Sequence, residues 1–405
     1  MEEFYTYTLP NGIRGIHRPE RSSVTHCALV IGAGSRDELS SQFGLAHFAE
    51  HAFFKGTHKR KAYQVNCRLE NMGGELNAFT TKEDTTIHAT TLRGDFRKAV
   101  ELISDVAFNS TFPDAELNKE REVICDEINT YKDSPVDMIY DTFEDMIFAD
   151  SELGHNILGR KKSISRYDGD SIREFIRRTH TTDQMVFSSI GNLSPKAAEA
   201  VALRYFGDIP ATNRLYERVV PPAITPFDKS LAKHTHQTHC IIGARAYGIR
   251  DPKRLPLALL VNILGGPCAN SRLNVVVREK HGLSYNIEAT YTPYSDSGAV
   301  AIYFSSDHCN AERCEELIAA EIDSLRKNLL TPRRLSMAKK QFTAQLAIAM
   351  ESNEGYMLGN GKSLLLHGAV DTMSEAYKKI EAVTAMDIAD AANEVLTNRS
   401  RLIYR

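Results

Sequence analysis

The chain has 405 residues, of which 42% are hydrophobic and 25% are charged, and its formal net charge is −3 at pH 7. This composition is typical of a globular protein, and the length predicts two or three domains. A net charge so close to zero excludes a broad basic surface for nucleic acid or acidic lipid. We therefore expect neither nucleic acid nor a membrane as a partner.

Cysteine usage and the start of the chain bear on the compartment. Seven cysteines are scattered without a Cys-x-x-Cys pair, so neither a disulfide framework nor a thiolate metal site is predicted. The chain begins with acidic residues and no apolar run, and no segment approaches the ~18 apolar residues of a membrane span. Free cysteines fit a reducing compartment, and we expect a cytoplasmic protein.

The first and second halves of the chain repeat each other weakly. The stretch THCALVIGAGSRDE from Thr25 resembles THCIIGARAYGIRDP from Thr238, and each pattern is typical of a buried strand that runs into a glycine-containing turn. A candidate helix follows each stretch, with the sequence GLAHFAEHAFF in the first half and PLALLVNILGG in the second. This repetition indicates a duplicated unit of strands and helices.

Two long helices extend the match between the halves. Each is predicted to begin at a proline, Pro113 in the first half and Pro332 in the second, and proline is favoured at the first position of a helix. The sequence therefore predicts an α+β protein of two homologous domains, each a mostly antiparallel sheet packed with helices. We place the domains at residues 1–212 and 227–405, joined by a proline-rich linker at residues 213–226.

Two histidines and a glutamate share one face of the first candidate helix. His47, Glu50 and His51 are spaced so that a helix would direct all three into one small volume. The equivalent positions of the second half are apolar or glycine: Val261, Leu264 and Gly265. Because this helix face is apolar in the second half, we expect it to point inward in both halves. Buried imidazoles and carboxylates need partners. The alternative is a surface helix decorated with histidines.

A divalent metal ion would supply such a partner. Two neutral imidazoles and one carboxylate suit a catalytic zinc ion with its fourth position open to water. The long helix DAELNKEREVICDEINTY offers the carboxylate, because Glu120 and Glu127 lie on or near its apolar stripe. Glu127 is the favoured ligand, and Glu120 is the favoured partner of a ligand histidine. Spacing alone leaves that order open.

The H-x-x-E-H order of this motif is that of the inverzincins. Over essentially its whole length the chain resembles the pitrilysin, insulin-degrading enzyme and mitochondrial processing peptidase family. The resemblance implies that His47, His51 and Glu127 hold one zinc ion per chain, since the family's third ligand follows the second histidine at this spacing. It also implies that Glu50 is the general base and that Glu120 orients a ligand.

Two further stretches resemble parts of that family. GGELNAFTTKEDTTIHATTL is similar to its edge strand, with Asn77 and Ala78 at the positions that contact substrate. An exposed strand edge is a template for an extended peptide, although a plain edge strand would explain the pattern as well. SRLNVVVREKHGLSYNIEATY is similar to its Arg/Tyr motif, which implies that Arg278 and Tyr285 donate hydrogen bonds to peptide carbonyls. Without the resemblance, a solvated arginine and a core tyrosine would suffice.

The resemblance implies a zinc-dependent endopeptidase that hydrolyses unfolded peptides bound in extended form. Each chain would form half of a clamshell chamber, so we expect a homodimer in which Arg278 and Tyr285 complete the partner's zinc site. The glycine-rich loop of the processing peptidase is not evident, which favours general peptide hydrolysis over presequence processing. The alternatives are a non-catalytic subunit, like the core subunits of the bc1 complex, or a subunit that needs a different partner chain.

Overall fold

A computed structural model describes residues 3–405, which form two compact units. The strands, in chain order, are β1 (Tyr5–Thr8), β2 (Arg14–Pro19), β3 (Val24–Ile31), β4 (Glu75–Thr80), β5 (Thr85–Leu92), β6 (Met185–Gly191), β7 (Asp228–Leu231), β8 (Thr238–Ala246), β9 (Asn286–Pro293), β10 (Gly298–Ser306) and β11 (Ser400–Tyr404). The α-helices are α1 (Leu45–Phe53), α2 (Ala62–Glu70), α3 (Phe96–Asn109), α4 (Asp114–Lys132), α5 (Pro135–Ile147), α6 (Lys161–Ile164), α7 (Gly169–Thr179), α8 (Pro195–Phe206), α9 (Arg254–Gly265), α10 (Ala311–Lys327), α11 (Pro332–Ala349), α12 (Asn353–His367), α13 (Met373–Ala382) and α14 (Ala385–Val395). A π-helical segment, Asn274–Lys280, lies between α9 and β9.

The two sheets share the same topology over five strands, and the first has one additional edge strand, β1. The first has the strand order β1-β2-β6-β3-β5-β4 and the second the order β7-β11-β8-β10-β9. In each sheet one pair is parallel, β2 with β6 and β7 with β11, and the other neighbours are antiparallel. The strands β2, β6, β3, β5 and β4 thus correspond in order and direction to β7, β11, β8, β10 and β9. This agreement confirms the prediction of a duplicated α+β fold with mostly antiparallel sheets.

The helices that follow equivalent strands also correspond. Helix α1 follows β3 as α9 follows β8, and α3 and α4 follow β5 as α10 and α11 follow β10. The π-helical segment precedes β9 in the chain, as α2 precedes β4, so the two segments occupy equivalent positions. Apart from β1, which has no partner strand in the second sheet, these elements of the first unit have counterparts in the second, and the two copies can be compared site by site.

Helices cover both faces of the first sheet. Along β3, Leu29 and Ile31 join the core formed with α1 and α3, whereas Ala28 and Val30 join a second cluster with α12. A strand that is buried on both faces has a continuous apolar sequence, which is why CALVI does not alternate with polar residues. The second sheet is covered in the same way, with α5 on one face and α9 and α10 on the other.

The compact units are not contiguous in sequence. The first consists of residues 3–130, 155–219 and 349–370, and the second consists of residues 131–154, 220–348 and 371–405. Helix α12, from the second half of the chain, packs on β2, β3 and β6 of the first sheet, and α5, from the first half, packs on β8 and β11 of the second. The fold thus differs from a simple division into residues 1–212 and 227–405, because each of these helices buries its apolar face on the sheet of the other half.

The start of the predicted linker, residues 213–226, is anchored on the first unit. Arg218 donates hydrogen bonds from Nε and Nη2 to the two carboxylate oxygens of Asp37, at 3.0 and 2.8 Å, and the Tyr216 hydroxyl donates to the same side chain at 3.0 Å. Arg214 donates to the carbonyl of Gly32. Buried polar contacts therefore order this stretch as far as Val219. No helix within residues 3–405 is both long and apolar enough to cross a membrane.

Candidate metal centre and peptide groove

A buried carboxylate fixes the start of α1. The Glu38 side chain accepts hydrogen bonds from the backbone N–H groups of Gly44 and Ala46, at 2.9 and 2.6 Å, and from His155 Nε2 at 2.8 Å. Gly44 has a φ of 94°, which favours glycine. An acceptor at this position satisfies N–H groups that the first turn leaves unpaired and complements the helix dipole. Burial raises the pKa of Glu38, and the bonds from His155 and the two backbone groups oppose that rise.

Helix α1 divides into an apolar face and a face that carries the motif. Leu45, Phe48 and Phe53 are fully buried in the core of the first unit. His47 and His51 lie on another face, with ring centroids 4.6 Å apart and the rings in an edge-to-face arrangement. The apolar face therefore anchors the helix, and the turn that carries the motif is held rigidly against the core.

The two imidazoles converge with one carboxylate of α4. His47, His51 and Glu127 each offer one ligand atom, and these atoms lie within 4.8 Å of one another. The Nε2 atoms of His47 and His51 are each 3.6 Å from Glu127 Oε2. Tetrahedral zinc with bonds of ~2.0–2.2 Å separates its ligand atoms by roughly 3.3–3.5 Å. The two imidazole–carboxylate distances therefore suit a shared divalent metal ion, and all three ligand atoms lie close enough to surround one.

The electrostatic setting also suits a metal. Burial, together with the neighbouring His51, lowers the pKa of His47 to about 3. His47 is thus neutral at physiological pH, and neutral imidazole is the form that binds metal ions. Glu127 is the most exposed of the three candidate ligands, with 43% of its side chain accessible, so the candidate metal position opens towards solvent.

Glu120 stands behind His51. Its Oε2 accepts a hydrogen bond from His51 Nδ1 at 2.9 Å, and its Oε1 pairs with Lys55. Burial raises the pKa of Glu120, but the bonds from His51 and Lys55 outweigh it and hold that pKa below its usual range. Because Nδ1–H donates to Glu120, His51 can direct the lone pair of Nε2 at the candidate metal position beside Glu127, which is how partners of ligand histidines orient them. Glu127 thus lies beside both imidazoles, whereas Glu120 contacts His51 on the side of the ring that faces away from Glu127.

Glu50 is half-buried next to this group. Burial raises the pKa of its carboxyl, and the charge of Glu127 adds to the effect, whereas Thr80 and His51 oppose it. A carboxylate whose pKa is shifted towards neutrality is suited to accept and return a proton.

An open cavity of about 470 Å³ connects the motif helix to the edge of the first sheet. Its walls come from four elements and one short turn: Glu50 and His51 of α1, Phe54 and Lys55 directly after α1, Asn66 and Glu70 of α2, Leu76, Asn77 and Ala78 of β4, and Glu120 of α4. Strand β4 pairs with β5 on one side, Asn77 opposite His88, and within the described residues no strand pairs with its other side. The predicted substrate-contacting residues therefore lie in the same groove as Glu50 and His51.

Arg278 and Tyr285 belong to the second unit. Arg278 lies on the π-helical segment, and its guanidinium carbon is 4.9 Å from the centre of the Tyr285 ring. Tyr285 precedes β9, the counterpart of β4, and is 82% exposed. A core role for this tyrosine is therefore wrong, and the pair is available to a ligand.

Sequence reasoning missed three residues that support the motif: Glu38, His155 and Lys55. Glu38 ends the stretch GAGSRDE, which the sequence comparison used only to align the two halves. An acidic residue shortly before a helix is a capping signal that could have identified it. His155 and Lys55 carry no such signal, because only the folded chain brings them to Glu38 and Glu120.

Comparisons with known proteins agree with this geometry. The family model described as insulinase, peptidase family M16, matches residues 16–161, and the model described as peptidase M16 inactive domain matches residues 166–342. An uncharacterized zinc protease of Bacillus subtilis is 32% identical over 96% of this chain and 95% of its own length. Another, from Mycobacterium tuberculosis, is 31% identical over 97% of this chain and 90% of its own length.

Solved structures agree on the fold. A protease from Helicobacter pylori superimposes with a TM-score of 0.90 at 19% identity, covering 99% of both chains. A peptidase M16 inactive domain from Pseudomonas fluorescens superimposes with a TM-score of 0.91 at 20% identity, covering 99% of this chain and 97% of the other. With the family models and the relatives of similar length, they establish that the chain belongs to the M16 family of peptidases.

Proposed function

We propose that the chain is a zinc-dependent endopeptidase that hydrolyses unfolded peptides bound in extended form. The observation that carries the proposal is the convergence of His47, His51 and Glu127, with Glu50 beside them at the wall of the groove along β4. The relatives called zinc proteases support the choice of metal, as does a donor set of two imidazoles and a carboxylate.

Different residues of the chain have different roles in the proposed hydrolysis. A zinc ion held by His47, His51 and Glu127 would lower the pKa of a bound water and polarise the scissile carbonyl. The Glu50 carboxylate accepts the proton of the attacking water and returns it to the leaving amine. The peptide adds to the free edge of β4 through backbone hydrogen bonds, which fixes its extended conformation without demanding a particular sequence.

The same proposal includes a homodimer in which Arg278 and Tyr285 of one chain serve the metal centre of the other. A guanidinium and a phenol both donate hydrogen bonds, and donors aimed at a carbonyl that becomes negatively charged stabilise the transition state. The exposure of Tyr285 supports this role. Mixing Glu50→Gln chains with Tyr285→Phe chains tests it, because only mixed dimers would contain one complete site. Two inactive parents that regain no activity on mixing would exclude the arrangement.

Glu50→Gln is the direct test of the mechanism. The amide preserves the shape of the side chain but accepts no proton, so peptide cleavage should fall at least ~100-fold, as expected for loss of a general base. Zinc content, measured on the same preparation, should stay at one ion per chain. Glu116→Gln is the matched control, because Glu116 pairs with Lys119 at the surface and is not part of the groove wall. Cleavage by Glu50→Gln at the wild-type rate would refute the assignment.

The wild-type chain separates the remaining alternatives. Purified protein that binds zinc and cleaves an unstructured peptide supports the proposal. Protein that binds zinc but cleaves nothing favours a subunit that needs a different partner chain, and protein that binds neither favours a scaffold.

A further inference from the structure

The second unit contains a cavity of about 420 Å³ that the proposed peptidase does not use. Its walls come from α9, the π-helical segment with the residues before it, α10, the loop after α10, and α11. These elements are the counterparts of α1, α2, α3 and α4, among which the metal group and its groove lie in the first unit. The duplicated fold thus keeps a cleft among equivalent helices after the metal ligands have been replaced.

Positive charge lines this cavity. Arg272, Lys280 and Arg334 contribute to the wall, and Glu321 is the only acidic residue there. Arg272 donates to Glu321 at 3.2 Å and is therefore partly neutralised. The side chains of Lys280 and Arg334 form no ion pair with any residue in the described chain. Two uncompensated cations at one cleft attract an anion.

The rest of the wall is apolar or carries neutral donors. Ile263, Val275, Val276, Leu330 and Met337 provide the apolar surface, and Met337 is 58% exposed at the rim. Asn270 and Gln341 exchange hydrogen bonds across the cleft at 3.2 and 3.1 Å, so part of the wall is braced. A bare inorganic anion would leave this apolar surface in water. The lining instead suits a ligand that carries a carboxylate next to an apolar group.

Lys280 is the last residue of the π-helical segment. A π-helix is rare because the α-helix is the more stable conformation, and π-helical segments are frequent at functional sites. The same segment carries Arg278, so its unusual turn serves more than one side chain. The π-helical conformation is thus a second observation, independent of charge, that indicates a functional role for this wall of the cleft.

We infer that this cleft binds the C-terminal carboxylate of a peptide whose last side chain is apolar. Arg334 and Lys280 pair with the carboxylate, for which a guanidinium offers two parallel donors, and the last side chain packs on Val275, Val276 and Leu330. A site of this kind would retain one end of a peptide substrate or product without reading the rest of its sequence.

Fluorescence anisotropy with a labelled tripeptide that ends in leucine tests the inference. The full chain carries Glu50→Gln, so that the peptide is not turned over, and three residues are too few to form a stable strand on β4. The free acid should bind at least ~10-fold more tightly than the same peptide with a C-terminal amide, because charged hydrogen bonds are lost in the amide. The double variant Lys280→Ala/Arg334→Ala should lose a similar factor, whereas Arg333→Ala should bind as the parent does. Arg333 is exposed on α11 but is not part of the cleft wall.

Three results would overturn the inference. They are equal binding of acid and amide, full binding by the double variant with an unchanged melting temperature, and displacement of the peptide by inorganic phosphate as effectively as by unlabelled peptide. The last result would mean that the site takes any anion. Binding here does not depend on zinc or on catalysis, so failure of the peptidase proposal would leave these measurements unaffected.

Discussion

The role of Glu120 leads to a quantitative prediction for Glu120→Gln. The amide fits the space of the carboxylate and can still accept one hydrogen bond from His51 Nδ1, but the acceptor is now neutral. The bond from His51, 2.9 Å long in the wild type, loses its charge-assisted character, and Lys55 loses its buried counter-charge. The imidazole is then held less firmly with Nε2 towards the metal.

The expected magnitude follows from this loss. Removing the partner of a ligand histidine weakens metal binding by about 10- to 100-fold, which corresponds to about 1.4–2.7 kcal/mol. We expect the zinc affinity of Glu120→Gln, measured by competition with a chromophoric chelator, to fall within this range. Peptide cleavage at saturating zinc should recover towards the wild-type rate, because all three ligands and Glu50 remain.

Glu116→Gln is the matched control for this measurement. Glu116 lies one turn earlier on α4 and pairs with Lys119 at the surface, 2.8 Å away, so its loss should leave zinc affinity unchanged. Equal zinc affinity in Glu120→Gln and wild type, with both proteins fully folded, would refute the idea that Glu120 orients His51.

Three further predictions concern the metal, the packing of α12 and the pH dependence of stability. Removing zinc with a chelator should abolish peptide cleavage, and adding zinc in excess should restore it. Leu364→Ala leaves a cavity between α12 and the first sheet and should lower the free energy of unfolding by about 2–5 kcal/mol in urea titrations. Burial raises the pKa of Asp37, but its ion pair with Arg218 outweighs burial and holds that pKa below the usual range. Asp37 therefore stabilises the folded state above about pH 4, and this contribution is lost as the pH falls through the lower folded-state pKa. The loss of stability in Asp37→Asn should accordingly be greatest near neutral pH and should shrink in more acidic solution.

The parts of the fold that follow from local pattern could be predicted from the sequence. The spacing of His47, Glu50 and His51 requires a helix if the residues act together, and α1 is that helix. The apolar stripe of α4 indicated which of its faces is buried, and Glu120 and Glu127 are near that face. Both inferences depend on residues within a few turns of one another, where geometry is fixed by the helix itself.

The parts that depend on which surfaces meet could not be predicted in the same way. The apolar residues of α5 and α12 show that each helix is buried, but a hydrophobic face does not specify its partner, and each helix packs on the sheet of the other half. The cap that Glu38 provides for α1 depends on His155, which is distant in sequence. The π-helical turn at Asn274–Lys280 has no sequence signal of its own.

The exchange of α5 and α12 has a consequence for how the protein is made. During synthesis from the N-terminus, β2, β3 and β6 can assemble long before α12 emerges from the ribosome, and until then Ile16, Val30 and Val186 face water. The first half therefore cannot complete its folding while it is being translated. Maturation of the nascent chain is instead a late event that involves both halves, and the exposed apolar face is a natural target for chaperones in the interval.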